Sequence, residues 1–350
     1  MKNTFAYLIM ILCILSACTQ NDPVSLPADE AKIALVLYNW EDYVDKTVLD
    51  EFEEEFGIKV LLKEYEVIDE AISNIQANPQ EYDVIVLTAF EIQTLQELKL
   101  LEKIDMSKIP NSNYLMDEFM NRPFDPQNSY SLPYLWGTTG LAIDTDVVPE
   151  DTDSWSVLWD PAFKGKIILL DDTRESIGVV QKYLGFSLNT KDPDEIKRIK
   201  TAAIQLKQNG VQFSDTFDNI ERLKSGEAAI VQVYNGDIIY AAKEAPNIKY
   251  VLPESGFEIW SDNFVISVDS THKEEAHMLI NYLLRPDINA RNAEKFAYAT
   301  PNKEAQKLIS KELLENPYVY IDEERMAIGE TIMSVGETNA EYNRIFSLMK

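Results

Sequence analysis

Cysteine and histidine are nearly missing from this chain. Cys13 and Cys18 are its only cysteines, and His272 and His277 its only histidines, among 350 residues. Both cysteines sit near the N-terminus, Cys13 inside an apolar leader. The body of the chain therefore has no thiol for a disulfide framework, a zinc cluster or a cysteine nucleophile. The histidines share the stretch THKEEAHMLINYLL, which reads as one amphipathic helix with both rings on its exposed side. No serine motif lies near them, which argues against a Ser-His-Asp triad. Positive charge is scarce as well: 32 Lys and Arg face 59 Asp and Glu, for a formal net charge of −27. Such acidity repels nucleic acid and anionic lipid and attracts cations. No GxGxxG fingerprint or P-loop occurs, and arginine is sparse, so there is no obvious cradle for an anion. Internal repeats and low-complexity tracts are also lacking.

The N-terminus carries a targeting segment. Lys2 precedes the short apolar run FAYLIMILCIL, which is too short for a comfortable membrane span and ends in small residues. Residues 1–17 thus read as a secretory signal. The following LSAC looks like a bacterial lipobox, which implies cleavage before Cys18 and a lipid on its sulfur. Residues 18–32 are polar and proline-containing and read as a flexible tether.

From Ile33 onward the pattern is α/β: short apolar strands alternate with amphipathic helices. IALVLY leads to a helix over about Lys46 to Phe56, and Gly57 stops it before the strand GIKVLLKEY. A helix near Asp69 to Ala77, the buried strand YDVIVLT and a helix near Phe90 to Leu98 complete a doubly wound start. NRPFDPQNSYSLPYLWGTTGLAID then breaks the rhythm and reads as a loop feeding a strand that leaves the first lobe. A second α/β unit follows: GKIILLDD, a helix from about Glu175, a helix near Asp194 to Asn209, AAIVQVYNGD and IKYVLP. EIWSDNFVISV brings the chain back, and KEEAHMLINYLLRP is a helix ended by Pro286. Two lobes joined by two crossings make a hinged cleft, with sites expected at strand ends facing it.

Aromatics and carboxylates coincide at those strand ends. Trp40, Glu41, Asp42 and Tyr43 follow the first strand. Asp171, Asp172 and Glu175 follow GKIILL. Tyr234 and Asp237 end AAIVQVY, Trp260 and Asp262 lie in IWSDN, and Tyr298 lies in FAYATPN. Taken singly, each has a structural explanation: Asp172 can cap a helix and Trp260 can be core. Together they match what a desolvated organic cation needs. An ammonium stripped of water requires charge-assisted bonds, and its methylene chain packs between aromatic faces. A diamine or polyamine needs acids at both ends with aromatics between. A glycosidase-type reading of Asp172 and Glu175 is weak, because two acids on one helix turn do not flank a bond.

Several long stretches, YNWEDYV, EFGIKV, YDVIVLT, PFDPQNSYSLPYLWGTTG, SWSVLWDPAFKGKIILLDD, EEAHMLINYLLRPD and YATPN, resemble the bacterial spermidine/putrescine-binding proteins. These are the substrate-binding components of ABC importers. The resemblance implies a two-lobed type II periplasmic-binding-protein fold, with lobe 1 at 33–139 and 263–305 and lobe 2 at 140–262 and 306–350. It implies ligand contacts at Trp40, Tyr43, Thr88, Asp172, Glu175, Trp260, Asp262 and Tyr298. Glu41 and Tyr234 join this set where the family more often carries a small hydroxyl residue and a tryptophan. Phe90 stands at a tyrosine position and Ile332 near an expected amide. The implied function is extracytoplasmic polyamine binding and delivery to membrane permease subunits, by a lipid-anchored monomer without enzymatic activity, cofactor or metal. A receptor or sensor for another cationic or neutral metabolite would need no different fold.

Overall fold

Seven residues from Ala34 to Trp40 form the first strand, β1, whose side chains alternate between two apolar layers. The computed structural model describes residues 33–350. The leader, the lipobox with Cys18 and the tether lie outside the described residues. Helix α1 (Lys46–Phe56) begins where the Asp45 carboxylate accepts from the Thr47 N–H, and ends at Gly57 in the left-handed conformation. That pairing of an acidic N-cap with a glycine stop follows from the unpaired amides and carbonyls at helix ends. Val48, Leu49 and Phe52 are its buried stripe.

The first half of the sheet continues with β2 (Lys59–Tyr65), α2 (Ile68–Ala77), β3 (Val84–Leu87) and α3 (Ala89–Glu97). Both β2 and β3 pair with β1 in parallel. Short β4 (Leu101–Glu102) precedes the longest strand, β5 (Ser131–Asp144), every residue of which is buried. The second half comprises β6 (Ile167–Leu170), α4 (Thr173–Tyr183), α5 (Pro193–Gln208), β7 (Gln212–Ser214), α6 (Thr216–Lys224), β8 (Ile230–Tyr234), α7 (Asn235–Glu244) and β9 (Ile248–Val251). Strand β10 (Glu258–Ser267), α8 (Lys273–Leu283) and α9 (Pro286–Phe296) follow, and the chain ends in a helix at Thr338–Met349.

All ten strands join one sheet, in the order β2-β1-β3-β10-β5-β8-β6-β7, with β4 also on β10 and β9 also on β5. The two outer groups are parallel internally. Between them β10 and β5 run antiparallel to each other and to their outer neighbours. The register shifts between Asp262 and Asn263, where β10 passes from the second group toward β3. Residues 33–350 form one compact unit.

Some elements differ from the sequence pattern. AAIVQVYNGD is not one strand: β8 stops at Tyr234, and Asn235, Gly236 and Asp237 are the first turn of α7. Pro286 does not merely end a helix. It occupies the first turn of α9, where its missing N–H costs nothing. His277 is buried rather than exposed. Its Nε2 accepts the Asp105 N–H at 2.9 Å while Nδ1 faces the Lys273 carbonyl oxygen at 2.5 Å, so the ring ties the β4–β5 connection to α8. That pairing calls for a neutral ring protonated on Nδ1.

Candidate functional site

Period two along β10 puts Glu258, Trp260 and Asp262 on one face of the strand, an acid on either side of an indole. The neighbouring strand is shaped for this. Trp260 pairs in register with Gly137 of β5, and a Cβ there would collide with the indole ring and with the Asn235 amide. Gly236 does the same for Tyr298, whose ring lies where a Cβ would stand. Glycine is needed at both places because the aromatic ring lies directly against the backbone.

Asp262 is buried, and the Trp40 indole N–H donates to its Oδ1 at 3.1 Å. The Tyr43 hydroxyl also faces this carboxylate, without closing a hydrogen bond of regular geometry. Tyr43 stacks edge-on to Tyr298 at 5.6 Å between centroids, Tyr298 to Trp260 at 5.0 Å, and Trp260 to Tyr234 at 6.0 Å. The Tyr298 hydroxyl donates to Asp237 Oδ1 at 2.8 Å. A continuous aromatic wall therefore runs from the turn between β1 and α1 to the end of β8, with acids along it.

Other acids line the second group of strands. Asp172 caps α4, accepting from the N–H groups of Arg174 and Glu175 at 2.7 and 3.0 Å. Glu175, one turn on, accepts from the Thr139 hydroxyl at 3.0 Å and the Gln232 amide at 3.3 Å. Glu258 lies beside Glu175, close enough for the two carboxyls to share a proton. From the first group, Thr88 stands at the N-cap of α3, but its hydroxyl donates to the Glu91 carboxylate instead of to a helix amide.

Burial pushes all six of these carboxyls up: Asp237 to about 6, Glu91, Glu258 and Asp262 to about 7, Glu175 well above its ordinary value, and Asp172 upward. Like charges add to it, with Glu258 raising Glu175 and Asp172 raising Glu91. Glu91 and Asp262 are buried outright. Asp172, Glu175, Asp237 and Glu258 are half-buried, enclosed by protein yet partly open to solvent. Among the described residues, none of the six has a Lys or Arg nitrogen within ion-pair distance. Arg174 is the nearest buried cation, but it donates to the Met333 and Leu188 carbonyls, both at 2.9 Å, and its guanidinium lies over Phe90 and Tyr342. Acids that are desolvated but unpaired are costly, and an incoming cation relieves that cost.

Of the residues expected from the sequence, Trp40, Tyr43, Thr88, Asp172, Glu175, Tyr234, Trp260, Asp262 and Tyr298 lie along this connected group. Glu41 does not. It is exposed on the turn after β1, where the charge of Glu66 above all raises its carboxyl. Glu91 and Glu258 were not expected. Period two from Trp260 and Asp262 pointed to Glu258, and the Thr88-x-x-Glu91 spacing resembles a capping box. No histidine, cysteine or acid group among the described residues could hold a metal ion.

Comparison with known proteins bears on what this group does. Residues 47–319 match the family described as bacterial extracellular solute-binding protein. The chain is 34% identical over 319 residues to the spermidine/putrescine-binding periplasmic protein of Escherichia coli, covering 90% of this chain and 91% of that one. The structure of the spermidine/putrescine ABC transporter substrate-binding protein PotD from Streptococcus pneumoniae superposes with a TM-score of 0.81 at 30% identity, over 91% of this chain and 98% of that one. The Tp0655 lipoprotein of Treponema pallidum has the same fold, with a TM-score of 0.81 at 23% identity over 91% and 99% of the two chains.

Proposed function

This chain belongs to the bacterial extracellular solute-binding proteins, and from that premise we propose that it captures polyamines outside the cytoplasm and hands them to the permease subunits of an ABC importer. It is a binding protein and not an enzyme. The observation that carries the reading is the set of six recessed carboxylates without a basic partner, arranged along an aromatic wall. Fixed carboxylates replace the lost hydration of each ammonium, and the rings of Trp40, Tyr43, Trp260 and Tyr298 pack along the methylenes and favour the cation.

On this reading lobe 1 is 33–139 with 263–305, and lobe 2 is 140–262 with 306–350. β5 and β10 form the two crossings, and the cleft closes on the ligand. Trp40 to Asp262 is then one closing contact, and the Ser334 N–H donating to Gln93 Oε1 at 2.8 Å is another. Cys18 serves as the lipid anchor, and the protein works as a monomer. No helix among the described residues is long and apolar enough to cross a membrane.

Calorimetric titration with putrescine, cadaverine, spermidine and spermine tests the proposal. Saturable binding of at least one of them is expected. No binding of any, by a protein with a cooperative melting transition, overturns it. Small-angle scattering with and without the bound amine tests closure, which should reduce the radius of gyration.

A further inference from the structure

Glu258 is not among the contacts that the family resemblance implies, and its surroundings are unusual. Its Oε2 is shut away from solvent without a hydrogen-bond partner. In the sheet it pairs with Thr139 of β5, which in turn pairs with Tyr234 of β8. That row lies beneath Glu175, because the Thr139 hydroxyl donates to Glu175. Glu175, Glu258, Thr139 and Gln232 stand on one side of a cavity of about 10 Å³ otherwise closed by apolar side chains that include Trp155 and Phe257, room for roughly one water-sized group. A terminal –NH3+ is of that size.

Nearby cations are already engaged. Lys182 reaches the same cavity, but its Nζ bonds Glu330 at 2.7 Å. Arg174 is spent on backbone carbonyls. At the opposite end of the strand face, Asp262 meets the buried Tyr43, whose hydroxyl lacks a partner of its own. From residue 258 to 262 the backbone advances about 13 Å, at roughly 3.3 Å per residue. An extended spermidine separates its terminal nitrogens by about 11 Å and putrescine by about 6 Å, from ordinary bond lengths.

We propose that Glu258 is a ligand-contacting carboxylate which, paired with Glu175, receives the far terminal ammonium of a long polyamine, while Asp262 serves the other end of the same strand face. The inference rests on the proposed function and adds to it a preference for length. The free pair is relieved by a shared proton, which the ammonium displaces on binding. Binding then releases a proton and tightens as pH rises. The groups facing the pair set its titration: Asp172 at the N-cap of α4 and Arg174 in its first turn, Asp262 from its own strand, Tyr234 from β8, and Lys182 with Glu330 on the far side of the cavity.

The test is Glu258→Gln, which keeps size and hydrogen-bonding capacity, titrated with spermidine and with putrescine at pH 6 and pH 8.5. The expected loss for spermidine is roughly tenfold or more at pH 8.5, as a charge-assisted bond is lost. The loss should be smaller at pH 6, where the wild-type pair already carries a proton, and smaller for putrescine at both values. Glu258→Asp should recover part of the affinity. An unchanged spermidine affinity at both pH values, or equal losses for both amines, overturns the proposal while leaving polyamine binding intact. If the wild type binds no polyamine, the proposed function fails instead. A melting temperature near that of the wild type confirms that the variant is folded.

Discussion

Carboxylates on the outer face of α1 and carboxylates in the cleft have opposite fates. Glu51 and Glu55 meet Arg291 of α9 and Arg285 at its N-cap, each with a bond of 2.7 Å, and those guanidinium groups hold both acids below their ordinary range. Asp262, Glu175 and Glu258 have no such partner, and burial holds them above it. Basic residues are few in this chain, and those that pair with acids do so mostly on the outside. On the proposed function these acids take their counter-charge from an external cation, and that is what would make them a receptor. A site filled with its own salt bridges would gain nothing from a ligand.

Removing the central cleft acid should have the largest effect. Asp262→Asn keeps the shape and takes away the charge that, on the proposed function, faces the ammonium. Truncating one partner of a buried ion pair costs about 3–5 kcal/mol, so polyamine affinity should fall roughly a hundredfold or more. The free variant should be at least as stable as the wild type, because it no longer carries an unpaired buried acid. Calorimetric titration and thermal melting together check both halves. A loss under about threefold, less than 1 kcal/mol, would place Asp262 outside the ligand contacts.

Next in size is the pH response of the free protein. Acids whose folded pKa is raised bind more protons folded than unfolded between about pH 4 and 7, given an ordinary carboxyl pKa near 4. Their stabilising contribution is complete below the unfolded value and is lost as pH rises through about 6 for Asp237 and about 7 for Glu91, Glu258 and Asp262. Melting temperature without ligand should therefore fall from pH 5 to pH 8. At a fixed concentration, a hundredfold over the dissociation constant at pH 8, spermidine adds about 2.7 kcal/mol there, a rise of several degrees, and the same concentration should give a smaller rise at pH 5. A free protein that melts higher at pH 8 than at pH 5 would contradict the account of the cleft.

A smaller effect is expected from Tyr298→Phe. The ring against Trp260 remains, but Asp237 loses the 2.8 Å bond from the hydroxyl. Leaving a buried acceptor short of a donor costs about 1–3 kcal/mol, read as a lower melting temperature, with affinity reduced by less than for Asp262→Asn. The smallest effects belong to the exterior. Glu51→Gln and Glu41→Gln should leave polyamine affinity within about twofold of wild type, as expected for solvent-exposed charges. A large loss from Glu41→Gln would bring the turn after β1 back into the site.

Much of the fold could be read from local chemistry. Lys46–Phe56 as a helix follows from four apolar residues at helical spacing and a glycine stop, and β1, β3, β6 and β8 lie in apolar runs, whereas the short parallel strand Gln212–Ser214 carries no such signal. Asp237 was harder. AAIVQVYNGD reads as one buried strand, yet Asn235 starts a helix, its side chain accepting from the Thr138 N–H at 3.0 Å and donating to the Tyr318 carbonyl at 2.9 Å, contacts remote in sequence. His277 misled for a similar reason: Lys and Glu beside it suggest an exposed face, but its partner, the Asp105 N–H, is remote in sequence.

The sequence by itself determined that this is an α/β protein rich in acid and poor in base, with aromatics beside carboxylates at strand ends. Those properties depend on residue type and short-range periodicity, which are written along the chain. Only the tertiary structure decided which acids meet. Glu258 reaches Glu175 because the register of β10 on β5 sets Glu258 opposite Thr139, and Asp172 fixes where α4 begins. Glu41, next to Trp40, is turned outward by the bend after β1, where Asp42 has a positive φ of 48°. Burial and neighbouring charge set the affinity of each carboxyl for a proton or a cation, and both are properties of the assembled sheet.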